Sequence, residues 1–82
     1  MPEWFTYVLR CADNSLYTGI TTDVERRLHE HNHEYNGAAY TRSRRPVQLV
    51  YQESFTNRTE AARREYIIRT LTKSKKEKLI TK

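Results

Sequence analysis

Cysteine, glycine and proline are scarce in this sequence, whose 82 residues contain one cysteine, two glycines and two prolines. The single cysteine, Cys11, cannot form an internal disulfide, and the cysteine spacings of metal fingers are absent, which fits a reducing cytoplasm. No apolar run approaches the ~20 residues that span a bilayer, and the N-terminal residues MPEWF lack the pattern of a signal peptide. Repeats, low-complexity tracts and linkers are also absent. We therefore expect a single cytoplasmic domain over residues 1–82, with no membrane association and with Cys11 packed at a strand end.

Acidic residues are outnumbered by basic ones. The chain has 15 Lys and Arg against 10 Asp and Glu, which gives a net charge of +5 and a pI of about 9.6. Such a balance favours a polyanionic partner such as a nucleic acid. Charge alone leaves open a basic soluble domain that has no such partner.

The first third of the chain has the pattern of a β-hairpin followed by a helix. Residues 4–11 and 16–21 are rich in aromatic and β-branched side chains, and Asp13-Asn14 between them is typical of a turn. Thr22-x-x-Glu25 has the form of a capping box, which predicts a helix that begins at about Asp23.

Four side chains of this unit form a candidate site. Tyr7 lies on the first strand, Tyr17 on the second, and Arg27 and His31 are four residues apart on the helix. At about 100° per residue, Arg27 and His31 flank an apolar stripe and face the body of the fold. Two phenols, a guanidinium and an imidazole in so short a segment suit a phosphate-directed site.

The same helix contains a sequence pattern of zinc metallopeptidases. His29-Glu30-His31-Asn32-His33 satisfies H-E-x-x-H. His29 and His33 are expected on the solvent side, and the sequence offers no obvious third ligand. We therefore favour a solvated face rich in histidine over a zinc site.

Residues 32–54 predict a loop and then a third strand. Residues 32–46 have loop composition, with a short helical turn at 38–41. Over 47–54 the side chains alternate between two faces, which is typical of a strand. One face is expected to carry Val47, Leu49 and Tyr51, and the other Gln48, Val50 and Gln52.

Two helices follow the third strand. Asn57-x-x-Glu60 is a second capping motif, which predicts a helix over 58–71, and residues 75–80 have the pattern of a short terminal helix. The element order is therefore ββα-β-αα.

Glu65 is the residue of the long helix that is hardest to explain structurally. It lies among Ala61, Ala62 and Ile68, on the face that should approach the core. A carboxylate there needs a partner, because a buried unpaired charge is costly. Two partners for the Glu65 carboxylate are possible: Arg27, in a structural ion pair, or a divalent metal ion. Mg²⁺ suits a hard carboxylate ligand and keeps several waters.

Aromatic and basic residues are interleaved after the first helix. Tyr40 can stack on a base and the arginines after it can hold phosphates, with a solvated loop as the alternative. The lysines near the C-terminus can grip phosphates as well. The nucleic-acid-binding candidates are Tyr40, Arg42, Arg44, Arg45, Lys73, Lys75 and Lys76.

The hairpin contains two tyrosine triplets, Phe5-Thr6-Tyr7 and Tyr17-Thr18-Gly19, whose tyrosines are ten residues apart. Arg27 follows on the next helix, and Glu65 follows on the next long one. This pattern covers essentially the whole chain and resembles the GIY-YIG nuclease superfamily, which includes the N-terminal domain of the UvrC repair nuclease. The chain looks closest to the small stand-alone bacterial members. The resemblance implies an α/β fold in which helices flank a three-stranded antiparallel sheet.

The resemblance also implies a chemistry, the hydrolysis of phosphodiester bonds in DNA by metal-activated water. One Mg²⁺ or Mn²⁺ ion would be held by Glu65, and Arg27 would be the active-site arginine. Tyr7 would be the leading candidate general base, with Tyr17 and His31 shaping the proton network or positioning phosphate and water. A tyrosine has a reference pKa of about 10, so a nearby cation must lower it.

Three hypotheses follow from the sequence. The first is a magnesium-dependent, structure-selective nuclease acting on DNA. The second is a non-catalytic nucleic-acid-binding module that kept the fold, for which Glu65 would not matter. The third is a small protein-interaction domain, although no particular protein partner is predicted.

The chain departs from the resemblance at two positions. Ile20 stands where some relatives have a lysine, and Glu77 stands where some have an asparagine.

Overall fold

The computed structural model describes residues 3–34 and 37–81. The elements are β1 (Trp4–Arg10), β2 (Leu16–Thr21), α1 (Val24–His33), α2 (Ala39–Arg42), β3 (Gln48–Phe55), α3 (Arg58–Arg69) and α4 (Lys73–Ile80). The order ββα-β-αα is confirmed, and the helical turn expected in the loop is the short helix α2. The predicted loop includes Tyr35 and Asn36, which lie outside the described residues, as do Met1, Pro2 and Lys82. Within the described ranges, no helix has the length and apolar character needed to cross a bilayer.

The three longer helices begin at side-chain caps. In each, the residue before the helix accepts a hydrogen bond from a backbone N–H three positions later: Asp23 from Arg26, Asn57 from Glu60 and Thr72 from Lys75. The cap predicted at Asn57 is confirmed, whereas the first helix is capped by Asp23 and not by Thr22. The cap at Thr72 starts α4 two residues before its predicted position, and α1 extends into the predicted loop.

The sheet is antiparallel, with β1 in the centre and the strand order β2-β1-β3. Neighbouring residues of β1 point to opposite faces. The Tyr7 hydroxyl is 2.8 Å from Nε2 of His31 in α1, whereas the Thr6 hydroxyl donates a 2.8 Å hydrogen bond to the carbonyl of Ala61 in α3. The two helices therefore cover opposite faces, which is the flanked three-stranded sheet implied by the resemblance.

A β-bulge in β3 changes which of its side chains are buried. Val8 of β1 pairs with Tyr51 and Leu9 pairs with Leu49, so Val50 is an additional residue in the strand. Because Val8 and Leu9 point to opposite faces, Tyr51 and Leu49 do so as well. The prediction that these two residues share a face is therefore wrong, and Leu49 is 37% exposed.

One buried cluster lies on the α1 side of the sheet. Tyr7, Leu9, Cys11 and Val47 form it, and the partly buried Tyr17 and Leu28 pack against it. Cys11 is a free thiol and is buried, so its expected packing role is confirmed. On the opposite face of the sheet, Ala61 and Ile68 of α3 are fully buried. Their predicted position on the inner face of this helix is confirmed.

An ion pair attaches α4 to β1. Glu77 accepts hydrogen bonds of 2.6 and 2.8 Å from the Arg10 guanidinium and pairs with Lys73 at 3.3 Å. These partners, chiefly Arg10, lower the pKa of Glu77 to about 2. The Glu77 carboxylate thus holds the last helix to the central strand.

Gly19 leaves the space that the ring of Tyr7 occupies. A Cβ atom at position 19 would lie 2.5 Å from the Tyr7 hydroxyl oxygen and 2.7 Å from the ring carbon that bears it. The ring cannot easily move aside, because Tyr7 is buried and its hydroxyl is hydrogen-bonded to His31. The last residue of the second triplet therefore makes room for the tyrosine of the first.

His31 is a polar residue inside the core. It is fully buried, and its ring meets those of Tyr7 and Tyr17 edge-on at centroid distances of 5.9 and 5.2 Å. Burial, followed by the charge of Arg27, lowers the pKa of His31 from 6.5 to about 4, so the imidazole is neutral at pH 7. Its predicted inward orientation is confirmed, and the other two histidines of α1 are exposed.

Gly19→Ala should lower the free energy of unfolding by about 1–3 kcal/mol, the usual range for overpacking, because the new methyl displaces the Tyr7 ring. In the Tyr7→Leu background, which lacks the distal ring atoms, the same substitution should cost much less. Urea unfolding of the single and double variants measures both values. Stabilisation by Gly19→Ala, as reduced backbone entropy alone would produce, would contradict this expectation.

Acid should weaken the folded state through His31. His31 binds a proton near pH 6.5 in the unfolded chain and only near pH 4 in the folded protein. The stability that depends on a neutral His31 is therefore complete above pH 6.5 and is lost as the pH falls toward 4. The loss should be on the order of 3 kcal/mol. NMR titration of the three imidazoles, combined with unfolding measured over the same pH range, tests this. Protonation of folded His31 near pH 6.5 would show the prediction to be wrong.

Candidate active site

The five residues predicted for catalysis come from four elements, namely β1 (Tyr7), β2 (Tyr17), α1 (Arg27 and His31) and α3 (Glu65). Burial raises the pKa of Tyr7 to about 12 and also raises that of Tyr17. Beyond burial, the Arg27 guanidinium lowers the pKa of both phenols and the Glu65 carboxylate raises it. Both charged groups are therefore close enough to act on both hydroxyls.

An open cavity of about 430 Å³ is formed by β2, Tyr40 of α2, α3 and α4. Its wall contains two of the five residues, Tyr17 and Glu65. Tyr7 and His31 are buried and do not line it. The other lining residues are Leu16, Thr18, Tyr40, Arg69 and Lys76.

Tyr7 and His31 form a buried hydrogen-bonded pair that continues to α2. The Tyr7 hydroxyl is 2.8 Å from Nε2, and the other ring nitrogen, Nδ1, is 2.8 Å from Oγ1 of Thr41. Thr41 is fully buried. Sequence reasoning missed it, because a threonine in a loop-like segment carries no signal that it contacts a histidine ten residues earlier.

Glu65 is paired with Arg69, one turn further along α3. Their charged groups are 3.8 Å apart, and the Arg69 side chain is 62% exposed. Arg27 pairs with Glu30 at 2.8 Å. The ion-pair partner of Glu65 is thus a neighbour at i+4, which the helix spacing could have indicated. Because the pair is long and its arginine is largely exposed, the interaction is weak.

The donor set around Glu65 fits a magnesium ion. The carboxylate is a hard oxygen ligand in the wall of an open cavity, and Oγ1 of Thr18 in the same wall is buried with no hydrogen-bond partner in the described chain. Mg²⁺ usually takes one or two protein carboxylates and fills its other positions with water and phosphate oxygens. Across residues 3–34 and 37–81, no three His, Cys, Asp or Glu side chains come together to hold a metal ion, and this includes the H-E-x-x-H segment.

Two of the arginines predicted to bind nucleic acid donate to protein oxygens. Arg44 donates to the carboxylate of Asp13 at 3.0 Å and to the carbonyl of Tyr40 at 2.8 Å, and its guanidinium lies over the Tyr40 ring. Arg45 donates to carbonyl groups at the C-terminal end of α1. Both residues therefore hold the segment after α1 in place. Arg42, at the end of α2, is half-buried.

Tyr40 and Lys76 lie at the cavity itself. The Tyr40 ring stacks on Tyr17 with centroids 5.9 Å apart and is 40% exposed. Lys75 is exposed one position earlier in α4, whereas Lys73 contacts Glu77 and a backbone carbonyl of the hairpin turn. The roles of these residues in nucleic-acid binding stay predictions.

Sequence comparison relates this chain to a known family. Residues 3–78 match the GIY-YIG catalytic domain. UPF0213 protein DP2720 of Desulfotalea psychrophila is 54% identical over 79 residues, which cover 96% of this chain and 72% of the relative. UPF0213 protein SH2523 of Staphylococcus haemolyticus is 52% identical over 80 residues, which cover 98% of this chain and 96% of the relative.

Two solution NMR structures have the same fold. UPF0213 protein BH0048 from Bacillus halodurans is 44% identical, with a TM-score of 0.62 over 96% of this chain and 83% of the other. Protein EF2693 from E. faecalis is also 44% identical, with a TM-score of 0.64 over 99% of this chain and 86% of the other. The chain belongs to the GIY-YIG nuclease family, together with these bacterial UPF0213 proteins.

Proposed function

We propose that the protein is an endonuclease that hydrolyses phosphodiester bonds in DNA, with one Mg²⁺ or Mn²⁺ ion bound by Glu65. The observation that carries the proposal is the position of Glu65 and Tyr17 in one cavity wall, with Arg27 acting on the same phenol. A carboxylate, a guanidinium and phenols supply the metal ligand, the positive charge and the proton acceptors that this reaction needs. The free thiol of Cys11 fits a cytoplasmic protein.

Each side chain of the candidate site has its own role in the proposed reaction. Tyr7 accepts the proton of the attacking water, and Tyr17, in the cavity wall, positions the water or the phosphate. Arg27 stabilises the negative charge that develops on the phosphate oxygens. When bound at Glu65, the divalent ion supplies further positive charge to the same oxygens.

Positive charge around the cavity supports nucleic acid as the substrate. Arg69 and Lys76 are in the wall, and Lys75 is exposed beside Lys76, so each can contact a phosphate. Phosphate contacts position a duplex without reading its sequence. Because the cavity is small and open, we expect recognition of nucleic-acid structure rather than of base order.

Glu65→Gln should reduce metal-dependent cleavage by at least about 100-fold, because the amide keeps the side-chain shape but loses the charge that binds the ion. Branched, nicked and single-stranded DNA and RNA are incubated with Mg²⁺, Mn²⁺ or EDTA. Glu60→Gln is the matched control, since it removes the same charge from an exposed position of α3 outside the cavity wall.

Cleavage by Glu65→Gln at the wild-type rate, or undiminished cleavage in EDTA, would contradict the metal site. Salt-sensitive DNA binding by the wild-type protein, with no cleavage of any substrate and no effect of Glu65→Gln, would favour the non-catalytic binding module. If the protein shows no salt-sensitive binding of nucleic acid, the protein-interaction domain is the remaining hypothesis.

The double variant Arg69→Gln/Lys76→Gln should bind duplex DNA with a weaker salt dependence. The slope of log K against log salt should fall by about 2, at ~0.9 for each phosphate contact. Anisotropy titrations between about 50 and 200 mM salt measure the slope. The control Arg63→Gln/Lys78→Gln removes two charges outside the cavity wall and should change the slope less. Equal changes in both pairs would rule out the cavity as the binding surface.

A further inference from the structure

Thr41 is a buried hydroxyl that the proposed reaction has not used. Its Oγ1 is 2.8 Å from Nδ1 of His31 and 2.9 Å from the carbonyl oxygen of Ala38. On the other side of the imidazole, Nε2 is 2.8 Å from the Tyr7 hydroxyl. One continuous chain of hydrogen bonds therefore connects the Ala38 carbonyl to Tyr7.

Around a neutral His31, the protons of this chain can run in two directions. In the first, Tyr7 donates to Nε2, Nδ1–H donates to Thr41 and Thr41 donates to Ala38, so every proton has an acceptor. In the reverse direction, Thr41 donates to Nδ1 and Nε2–H donates to Tyr7. The Tyr7 proton is then without an acceptor among the described residues. A buried donor without an acceptor is unfavourable, so the first direction is preferred.

We propose that Thr41 is a positioning residue that fixes His31 in the Nδ1–H tautomer, which keeps Nε2 free to accept the proton of Tyr7. The chemical consequence rests on the proposed nuclease function. The tautomer itself is a property of the folded chain and can be measured without any substrate.

The tautomer determines what Tyr7 can do. Because the Tyr7 proton points at His31, the Tyr7 oxygen acts as an acceptor on its other side. One lone pair accepts a hydrogen bond from the Arg27 guanidinium, and the second can accept a proton from a water molecule. As the water oxygen bonds to phosphorus, one water proton passes to Tyr7 and the original Tyr7 proton passes to Nε2. The bond from phosphorus to the leaving oxygen breaks, and that oxygen keeps the electron pair and takes a proton from solvent. His31, whose pKa is about 4, then returns its extra proton to Tyr7, and Tyr7 releases one proton to solvent, which resets the site.

This relay avoids a free phenolate. Burial raises the pKa of Tyr7 to about 12, so only about one molecule in 10⁵ carries a phenolate at pH 7. A tyrosine that passes its own proton on while it accepts another does not need to ionise first. Thr41 contributes by accepting the hydrogen bond of Nδ1–H before and after the transfer.

The test compares Thr41→Val, which removes the hydroxyl at nearly constant size, with Thr41→Ser, which keeps it. The ¹⁵N NMR shifts of the His31 ring at pH 7 report which nitrogen carries the proton. We expect the Nδ1–H form in the wild type and in Thr41→Ser, and a mixture or the Nε2–H form in Thr41→Val. With Mg²⁺ and a cleavable DNA, Thr41→Val should lower kcat at least about tenfold without raising KM, and Thr41→Ser should restore most of the rate.

Thr70→Val is the matched control. Its hydroxyl donates to the carbonyl three residues back, Ile67, at 2.8 Å, as Thr41 does to Ala38, but it has no imidazole partner. It should leave both the His31 spectrum and the rate unchanged.

An Nε2–H tautomer in the wild-type protein would overturn the proposal, and so would a Thr41→Val protein with the wild-type spectrum and rate. If Thr41→Val does not fold, the wild-type and Thr41→Ser spectra still decide the tautomer. If the wild-type protein cleaves no substrate, the nuclease function fails, whereas the ring spectrum decides the role of Thr41 independently.

Discussion

The hydrogen bond between Tyr7 and His31 joins the central strand to α1 in the buried part of the molecule, and much of the site depends on it. The Tyr7 ring can lie there only because position 19 has no side chain. Burial lowers the pKa of the imidazole to about 4, so the ring is neutral at pH 7 and Nε2 can accept the hydrogen bond of Tyr7. Thr41, from a short helix, occupies the remaining ring nitrogen. Contacts around this hydrogen bond thus link the glycine of one triplet, the tyrosine of the other and a threonine of α2.

Local patterns in the sequence predicted the elements and the inward faces of the helices. The helical period placed His31 inside and His29 outside, and the Asn57 motif located the start of α3. The arrangement of β3 could not be predicted, because the bulge at Val50 depends on its pairing with β1 and not on its own alternation. The attachment of α4 through Glu77 likewise needs a partner 67 residues away.

The candidate site was predictable in its residue types and less so in their partners. Glu65 was expected to need a counter-charge, and the chain provides one from Arg69 on the same helix. Arg44 and Arg45 have the composition of a phosphate-binding loop, yet both donate to protein oxygens. A helix ends with carbonyl groups that lack partners, and no local pattern shows which distant side chain will reach them. Basic residues near a site therefore serve the fold as well as any ligand.

The bulge at Val50 has a consequence for the sheet as a whole. β2 and β3 are its two edges, and each edge strand exposes backbone groups that another chain could extend. β2 contributes Leu16, Tyr17 and Thr18 to the cavity wall, so a ligand can cover that side. β3 likewise contributes Leu49 and Gln52 to a second open cavity, and its irregular residue breaks the spacing that an added strand would have to match. The bulge therefore disfavours extension of the sheet along β3 by another strand.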